Sequence, residues 1–221
     1  MSRNVGVIGL GAMGLGVARS LLRAGFKVHA CDVRTQVLDA FAGEGGIACA
    51  TPAELGSQCE VVVTVVVNAA QTETVLFGSE TQPGAVSAMK PGGVVLACAT
   101  VSPAFAIELG KRVEAAGLHM LDAPLSGGAA RAASGEMTMM TSGPASAYEA
   151  CEDVLEAIAG KVYRLGDEHG AGSKVKIINQ LLAGVHIAAA ADNGSGNFEV
   201  RAVSSTRPRS FTKISTADNG V

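Results

Sequence analysis

The chain has 221 residues, room for one large domain or one and a half ordinary ones, and 48% of them are apolar, enough for a sizeable core. Its formal charge is −3 and its pI near 5.8. No block of like charge stands out, which argues against nucleic acid and anionic membrane as partners.

Short β-branched runs alternate with longer Ala- and Leu-rich stretches. Val5–Leu10 reads as a strand and Met13–Arg23 as a helix ended by Gly25. Lys27–Asp32 is the second strand, Thr35–Ala42 a helix, and Ile47–Ala50 a short third strand. Val61–Val67 is apolar apart from Thr64, the mark of a strand buried on both faces. A helix over Gln71–Phe77 and a strand over Val94–Ala99 follow. The next helix runs from Ser102 to Ala116, with Ser102 as N-cap and Pro103 at the first helical position. His119–Leu125, Met137–Thr141 and Val162–Leu165 read as further strands, the last two separated by a helix from Ala145 to Ile158. This alternation predicts an α/β fold, a doubly wound Rossmann sheet of parallel strands over residues 1–168. There is no internal repeat and no low-complexity linker.

From Gly170 a long helix begins, and Val175, Ile178, Leu181, Leu182 and Val185 give it an apolar surface that calls for partners. Residues 169–191 thus read as the start of an interdomain helix. At Asp192 the character changes: residues 192–221 are rich in Ser, Thr, Asn, Gly and Arg, without sustained period, and are expected to form an irregular or disordered tail. The five cysteines show no CxxC and no metal spacing, so they are expected to be reduced and packed as small hydrophobes, as in a cytoplasmic protein. The N-terminus does not read as a signal peptide, no run is long enough to span a membrane, and no metal is expected.

Gly9-Leu10-Gly11-Ala12-Met13-Gly14 is a GxGxxG placed directly after a strand and opening a helix, the context a dinucleotide site requires. Gly9 serves the tight turn, Gly11 the approach of a pyrophosphate to the helix N-terminus, and Gly14 the packing of helix on strand. Asp32 ends the second strand at about the distance where a carboxylate accepts hydrogen bonds from the adenosine ribose and repels a 2′-phosphate. NAD is therefore favoured over NADP, although Arg34 is a guanidinium that could tolerate phosphate. Val33 lies between the two.

Three further motifs follow in order: Ala99-Thr100-Val101-Ser102-Pro103; Asp122-Ala123-Pro124-Leu125-Ser126-Gly127-Gly128 with Gly135-Glu136-Met137-Thr138; and Gly170-Ala171-Gly172 with Lys176 and Asn179. Together with the glycine motif they resemble the β-hydroxyacid dehydrogenase family from about residue 4 to 191. Within it, the stretch from Lys176 through Ala190 is most similar to L-threonate dehydrogenases. The resemblance implies that Lys176 is the general acid/base on the substrate hydroxyl. It implies that Ser126, Gly127 and Gly128 hold the substrate, joined by Asn179 and Gln180. It places Thr100 at the nicotinamide end, and Val66, Val67 and Gln71 along the cofactor. Gln180 stands where many relatives carry Asn and is expected to suit a longer polyol acid. The chemistry agrees: alcohol oxidation releases a proton, a lysine can take it if burial and a positive nicotinamide lower its pKa, and Lys176 and Gln180 share a helix face at i and i+4. Lys174 is expected to be solvated, and His119 and His186 to be core or interface residues.

Such relatives continue the long helix into an all-helical domain, which completes the substrate pocket and makes homo-oligomers. That pattern is not found after Ala191. A one-base shift in a suitable set of codons for Asp192-Asn193-Gly194-Ser195-Gly196 gives Thr-Met-Ala-Leu-Ala, which matches how family helices continue, so a frameshift near codon 192 is expected. Two functional classes follow: an NAD-dependent dehydrogenase of a small hydroxy acid, L-threonate or a related sugar acid first among them, and a truncated, catalytically impaired NAD-binding remnant. A third reading, an imine-reductase relative, is disfavoured by Lys176.

Overall fold

The computed structural model describes residues 3–192; of the tail expected over 192–221, Asp192 ends the last helix and residues 193–221 lie outside the described residues. The described residues fall into two units, one running to Ile177 and the other starting at Ile178. In the first, a six-stranded parallel sheet has the order β3-β2-β1-β4-β5-β6. Its strands are β1 (Asn4–Ile8), β2 (Lys27–Cys31), β3 (Ile47–Ala48), β4 (Val61–Thr64), β5 (Val94–Ala97) and β6 (His119–Asp122). This is the dinucleotide-binding order, with the switch between β1 and β4. Val61, Val62 and Val63 have no exposed surface, as an apolar run in a sheet covered on both faces must. All five cysteines are free and buried. Burial pushes the thiols up, Cys31 and Cys49 to about 11 and Cys59 and Cys151 to about 12.

The helices of this unit are α1 (Ala12–Arg23), α2 (Thr35–Gly43), α3 (Pro52–Gln58), α4 (Ala69–Phe77), α5 (Pro103–Ala115), α6 (Gly128–Ser134), α7 (Ala145–Glu149) and α8 (Glu152–Ile158). Ser102 caps α5, its hydroxyl accepting from Phe105 N, and Pro103 takes the first position. The helix α3 was not anticipated, yet its signal is in the sequence. Thr51 accepts from Glu54 N at 3.1 Å, Glu54 accepts from Ala50 N at 2.7 Å, and Pro52 stands at the first turn, a variant of the capping box.

Three expectations are corrected. The segments Met137–Thr141 and Val162–Leu165 do not extend the parallel sheet. They belong to a second, three-stranded sheet of β7 (Leu125–Ser126), β8 (Met137–Thr141) and β9 (Ala159–Arg164), with β7 antiparallel to β8 and β9 parallel to it. The strand expected over His119–Leu125 stops at Asp122, because Pro124 has no N–H to give a ladder, and Leu125 starts a strand in the other sheet. The single helix expected over Ala145–Ile158 is two, divided at Ala150–Cys151. There the Ala150 carbonyl accepts from the Arg3 guanidinium at 2.5 Å, a bond that competes with continuing the helix.

The helices α1 and α6 approach through small residues. A Cβ on Gly16 would lie 2.6 Å from the Ala132 carbonyl carbon. Ser20 Oγ donates to Ala132 O at 3.1 Å and Arg23 donates to Ala133 O at 2.6 Å. This contact sets the glycine-motif helix against the helix that follows Ser126. Gly16→Leu therefore forces backbone apart and costs about 3 kcal/mol, the upper range for overpacking, read as a lowered urea midpoint.

The last helix, α9 (Ala171–Asp192), begins in the first unit and passes the boundary at Ile177. It carries large exposed apolar side chains, among them Leu181 at 66% and Ile187 at 71%. No helix of the described residues is long and apolar enough to cross a membrane.

Candidate functional site

The loop from β1 into α1 carries the glycine motif. Gly9 adopts φ +95°, and a Cβ there would meet Val65 O at 2.5 Å. A Cβ on Gly14 would come within 1.8 Å of Gly9 O, so Gly14 is what lets α1 sit on the turn. Gly11 is different: a Cβ there meets nothing within 4 Å. The first and third glycines thus serve the fold, while the second keeps open the approach to the start of α1. No side chain caps that helix end and its first turn has no acidic residue, so its N–H groups and partial positive charge suit a phosphate. Leu10 is buried at 2% exposure and packs in the core; Ala12 and Met13 form the first turn of α1.

A cleft of about 630 Å³ opens beside this loop. It is lined by Gly9, Gly11, Asp32, Val33, Arg34, Val66, Val67 and Gln71 among others, so eight of the expected cofactor residues meet there. Leu10, Ala12, Met13, Gly14 and Thr100 are not in its lining. Gln71 shapes the loop as well, its side-chain oxygen accepting from Val67 N at 3.0 Å, and Asn68 caps α4 by accepting from Gln71 N at 2.9 Å. Asp32 accepts from Leu10 N at 2.6 Å and from Arg34 through its backbone N and guanidinium at 2.9 Å each. The Arg34 bonds hold its carboxyl down to about 2, with further help from Leu10 N, against the cost of burial.

The other expected residues lie outside that cleft. Ser126 ends β7 half-buried and pairs with Thr138; Gly127 and Gly128 follow at φ +134° and +73°, turning into α6. Thr100 is half-buried beyond β5. Lys176 is buried at 8% exposure, and that burial lowers its pKa from the ordinary lysine value. Lys174 is exposed, as expected. Asn179 and Gln180 stand in the second unit, the first half-buried and the second exposed. His119 is half-buried beside Ser146 Oγ at 3.3 Å, whereas His186 is exposed, so a core position is ruled out for it.

Asp122, in the second of the three motifs, has a structural role. Its carboxylate, 1% exposed, accepts from Gly170 N at 3.1 Å, Ser173 N at 2.8 Å, Ser173 Oγ at 2.7 Å and Ser142 Oγ at 3.4 Å. Burial raises its pKa, and the bonds from Ser173 and Gly170 oppose that. Strand β6 thereby caps the first turn of α9, two turns before the end of the first unit, and Lys176 stands one turn further along. Its signal was the spacing of an acid at a strand end with a Gly-x-Gly-Ser helix start far downstream, which no local pattern could pair.

Residues 4–166 match the family model described as the NAD-binding domain of 6-phosphogluconate dehydrogenase. The chain belongs to that family. Its cofactor is NAD, and the open side of Gly11, the uncapped start of α1 and the cleft beside Asp32 fit a dinucleotide. The chain is similar to an L-threonate dehydrogenase of Cupriavidus necator, 73% identical over 192 residues, covering 87% of this chain and 64% of that protein. An L-threonate dehydrogenase of Escherichia coli is 46% identical over 191 residues, covering 86% and 62%. Among solved structures, a 3-hydroxyisobutyrate dehydrogenase from Salmonella typhimurium has a TM-score of 0.82 at 48% identity, covering 86% of this chain and 66% of that one. The chain thus spans a little under two thirds of these relatives, and the resemblance to β-hydroxyacid dehydrogenases holds over that length.

The glycine geometry makes a divided prediction for this NAD-binding domain. Gly11→Ala leaves the unfolding free energy within about 0.5 kcal/mol and weakens NAD binding. Gly14→Ala costs about 2 kcal/mol or more, because the clash is with backbone. Thermal unfolding and titration with NAD on the two variants separate the roles.

Proposed function

We propose that this chain is the NAD-binding part of a dehydrogenase that oxidises a small hydroxy acid, L-threonate or a related sugar acid first among them, with Lys176 as general base. The observation that carries this reading is the buried amine of Lys176, its pKa lowered by desolvation, on the helix that follows an NAD-binding domain in a chain 73% identical to an L-threonate dehydrogenase. NAD held at the Gly11 turn and beside Asp32 would supply the hydride acceptor for the alcohol carbon. Lys176 removes the hydroxyl proton, for which it must be neutral, and burial favours the neutral amine. Ser126 and the backbone N–H groups of Gly127 and Gly128 hold the carboxylate and hydroxyl. Asn179 and Gln180 contribute amides to a polyol chain, and Thr100 contacts the nicotinamide end. The NAD-binding domain comprises residues 1–168, residues 169–191 begin an interdomain helix, and the protein acts in the cytoplasm.

A second reading is an NAD-binding module without turnover. The exposed apolar side chains of α9, Leu181 and Ile187 foremost, favour it, since surface of this kind calls for cover. In that case NAD binds and L-threonate yields no NADH.

The dehydrogenase reading is tested by NADH formation from L-threonate. Lys176→Ala lowers the rate by about 100-fold or more, the usual scale of general-base loss. In the unsubstituted chain the rate rises with pH through one ionisation below the ordinary lysine value. A folded pKa lowered for a lysine means that the unfolded chain binds more protons across that window, so stability also rises with pH there. Lys176→Met removes this buried ammonium and leaves stability at neutral pH equal or higher, read by urea unfolding. Retained turnover in Lys176→Ala rejects the assignment.

A further inference from the structure

The groups assigned above to the substrate are all uncharged donors. Ser126 brings a hydroxyl, Gly127 and Gly128 bring backbone N–H groups, and Asn179 and Gln180 bring amides. Lys176 must be neutral to take a proton, so it lends the acid no charge. A carboxylate that leaves water for such a site loses hydration that neutral donors replace only in part, because bonds between two charged partners are the strong ones. A positive charge beside the loop is therefore wanted, and Arg131 is placed to give it.

Arg131 lies in α6, one helical turn after Gly127, the residue that caps the start of that helix. Long helical side chains lean toward the N-terminus of their helix. This one does so: a Cβ on Gly127 would lie 2.9 Å from Arg131 Cδ and 3.0 Å from Arg131 Cβ. The methylene stem thus runs back over Gly127, and the bare backbone there gives it room. Its guanidinium is unengaged. Among the described residues, Arg3, Arg19, Arg23, Arg34, Arg112 and Arg164 each donate to an acceptor within the chain. Arg131 is exposed and makes no such bond, and Glu136, the acid nearest to it in sequence, accepts from Ser134 Oγ at 3.1 Å instead.

We propose that Arg131 is a substrate-binding residue, its guanidinium pairing with the carboxylate of the hydroxy acid held at Ser126, Gly127 and Gly128. This rests on the dehydrogenase reading and deepens it, because it names the group that makes the site choose acids over uncharged polyols. The planar fork of a guanidinium matches the two oxygens of a carboxylate. The stem already lies along Gly127, so less side-chain freedom is left to be lost when the acid arrives. With the charge met by Arg131, the hydroxyl and the N–H groups of the loop serve to orient the acid rather than to hold it alone.

The test is equilibrium titration with L-threonate and with L-threitol, which carries a hydroxymethyl group in place of the carboxylate, with NADH present so that no oxidation occurs. Arg131→Met keeps an apolar stem over Gly127 and removes the charge; Arg131→Lys keeps the charge and loses the fork. The position is exposed, so both variants fold. Arg131→Met weakens L-threonate by roughly fivefold or more and leaves L-threitol within about twofold. Arg131→Lys falls between Arg131→Met and the unsubstituted chain. Added salt weakens L-threonate in the unsubstituted chain, as it must for an exposed charge pair, and does so much less in Arg131→Met; if L-threitol does not bind, this salt dependence decides in its place. L-threonate bound equally well by Arg131→Met, or L-threitol weakened as much as L-threonate, overturns the proposal. So does a loss of NADH affinity in Arg131→Met, which would assign the guanidinium to the dinucleotide. Failure of the unsubstituted chain to bind L-threonate at all overturns the dehydrogenase reading itself, which separates the two failures.

Discussion

A buried carboxylate surrounded by donors decides where the long helix starts. Asp122 lies at the end of β6 with almost no exposed surface, and a charge placed there without partners would cost several kcal/mol. The first turn of α9 has the complementary problem, since its N–H groups have no carbonyl behind them. Gly170 N, Ser173 N and Ser173 Oγ solve both at once, and Ser142 Oγ joins the carboxylate to Gly172 N at 3.0 Å. The approach is close enough that a Cβ on Gly172 would lie 2.4 Å from Met140 O. One side chain therefore links β6, the end of β8 and the helix that carries Lys176.

The features legible in the sequence were those with local periods or local motifs. The strand–turn–helix around Gly9 and Gly14, the buried run beginning at Val61 and the Ser102-Pro103 helix start each carry their cause within a few residues. The features that escaped depend on distant partners. The sheet to which Met137–Thr141 belongs is fixed by its pairing with Leu125–Ser126 and Ala159–Arg164, and periodicity is silent about which sheet a strand joins. The division between α7 and α8 coincides with a bond from Arg3, 147 residues away in sequence. Asp122 escaped for the same reason, its partners lying 20 to 51 residues downstream.

Small residues do much of the packing in a chain so poor in aromatics. Gly14 against the β1 turn and Gly16 against α6 bring backbone to backbone, where dispersion acts over short distances and a single methyl group has nowhere to go. Gly11, three residues before Gly14, has the opposite environment. Gly11, Gly14 and Gly16, within six residues, thus face open space, a carbonyl and a neighbouring helix, so glycines alike in sequence answer three different constraints.

The five buried thiols have a practical consequence. None is both accessible and ionised near neutral pH, since burial holds four of them at about 11 to 12 and the fifth, Cys98, higher than its ordinary value. They are distributed over β2, the loops after β3, α3 and β5, and the junction of α7 and α8. A soluble disulfide reagent would therefore report the opening of these regions one cysteine at a time, and the order in which the sulfurs become reactive would map which parts of the sheet part company first.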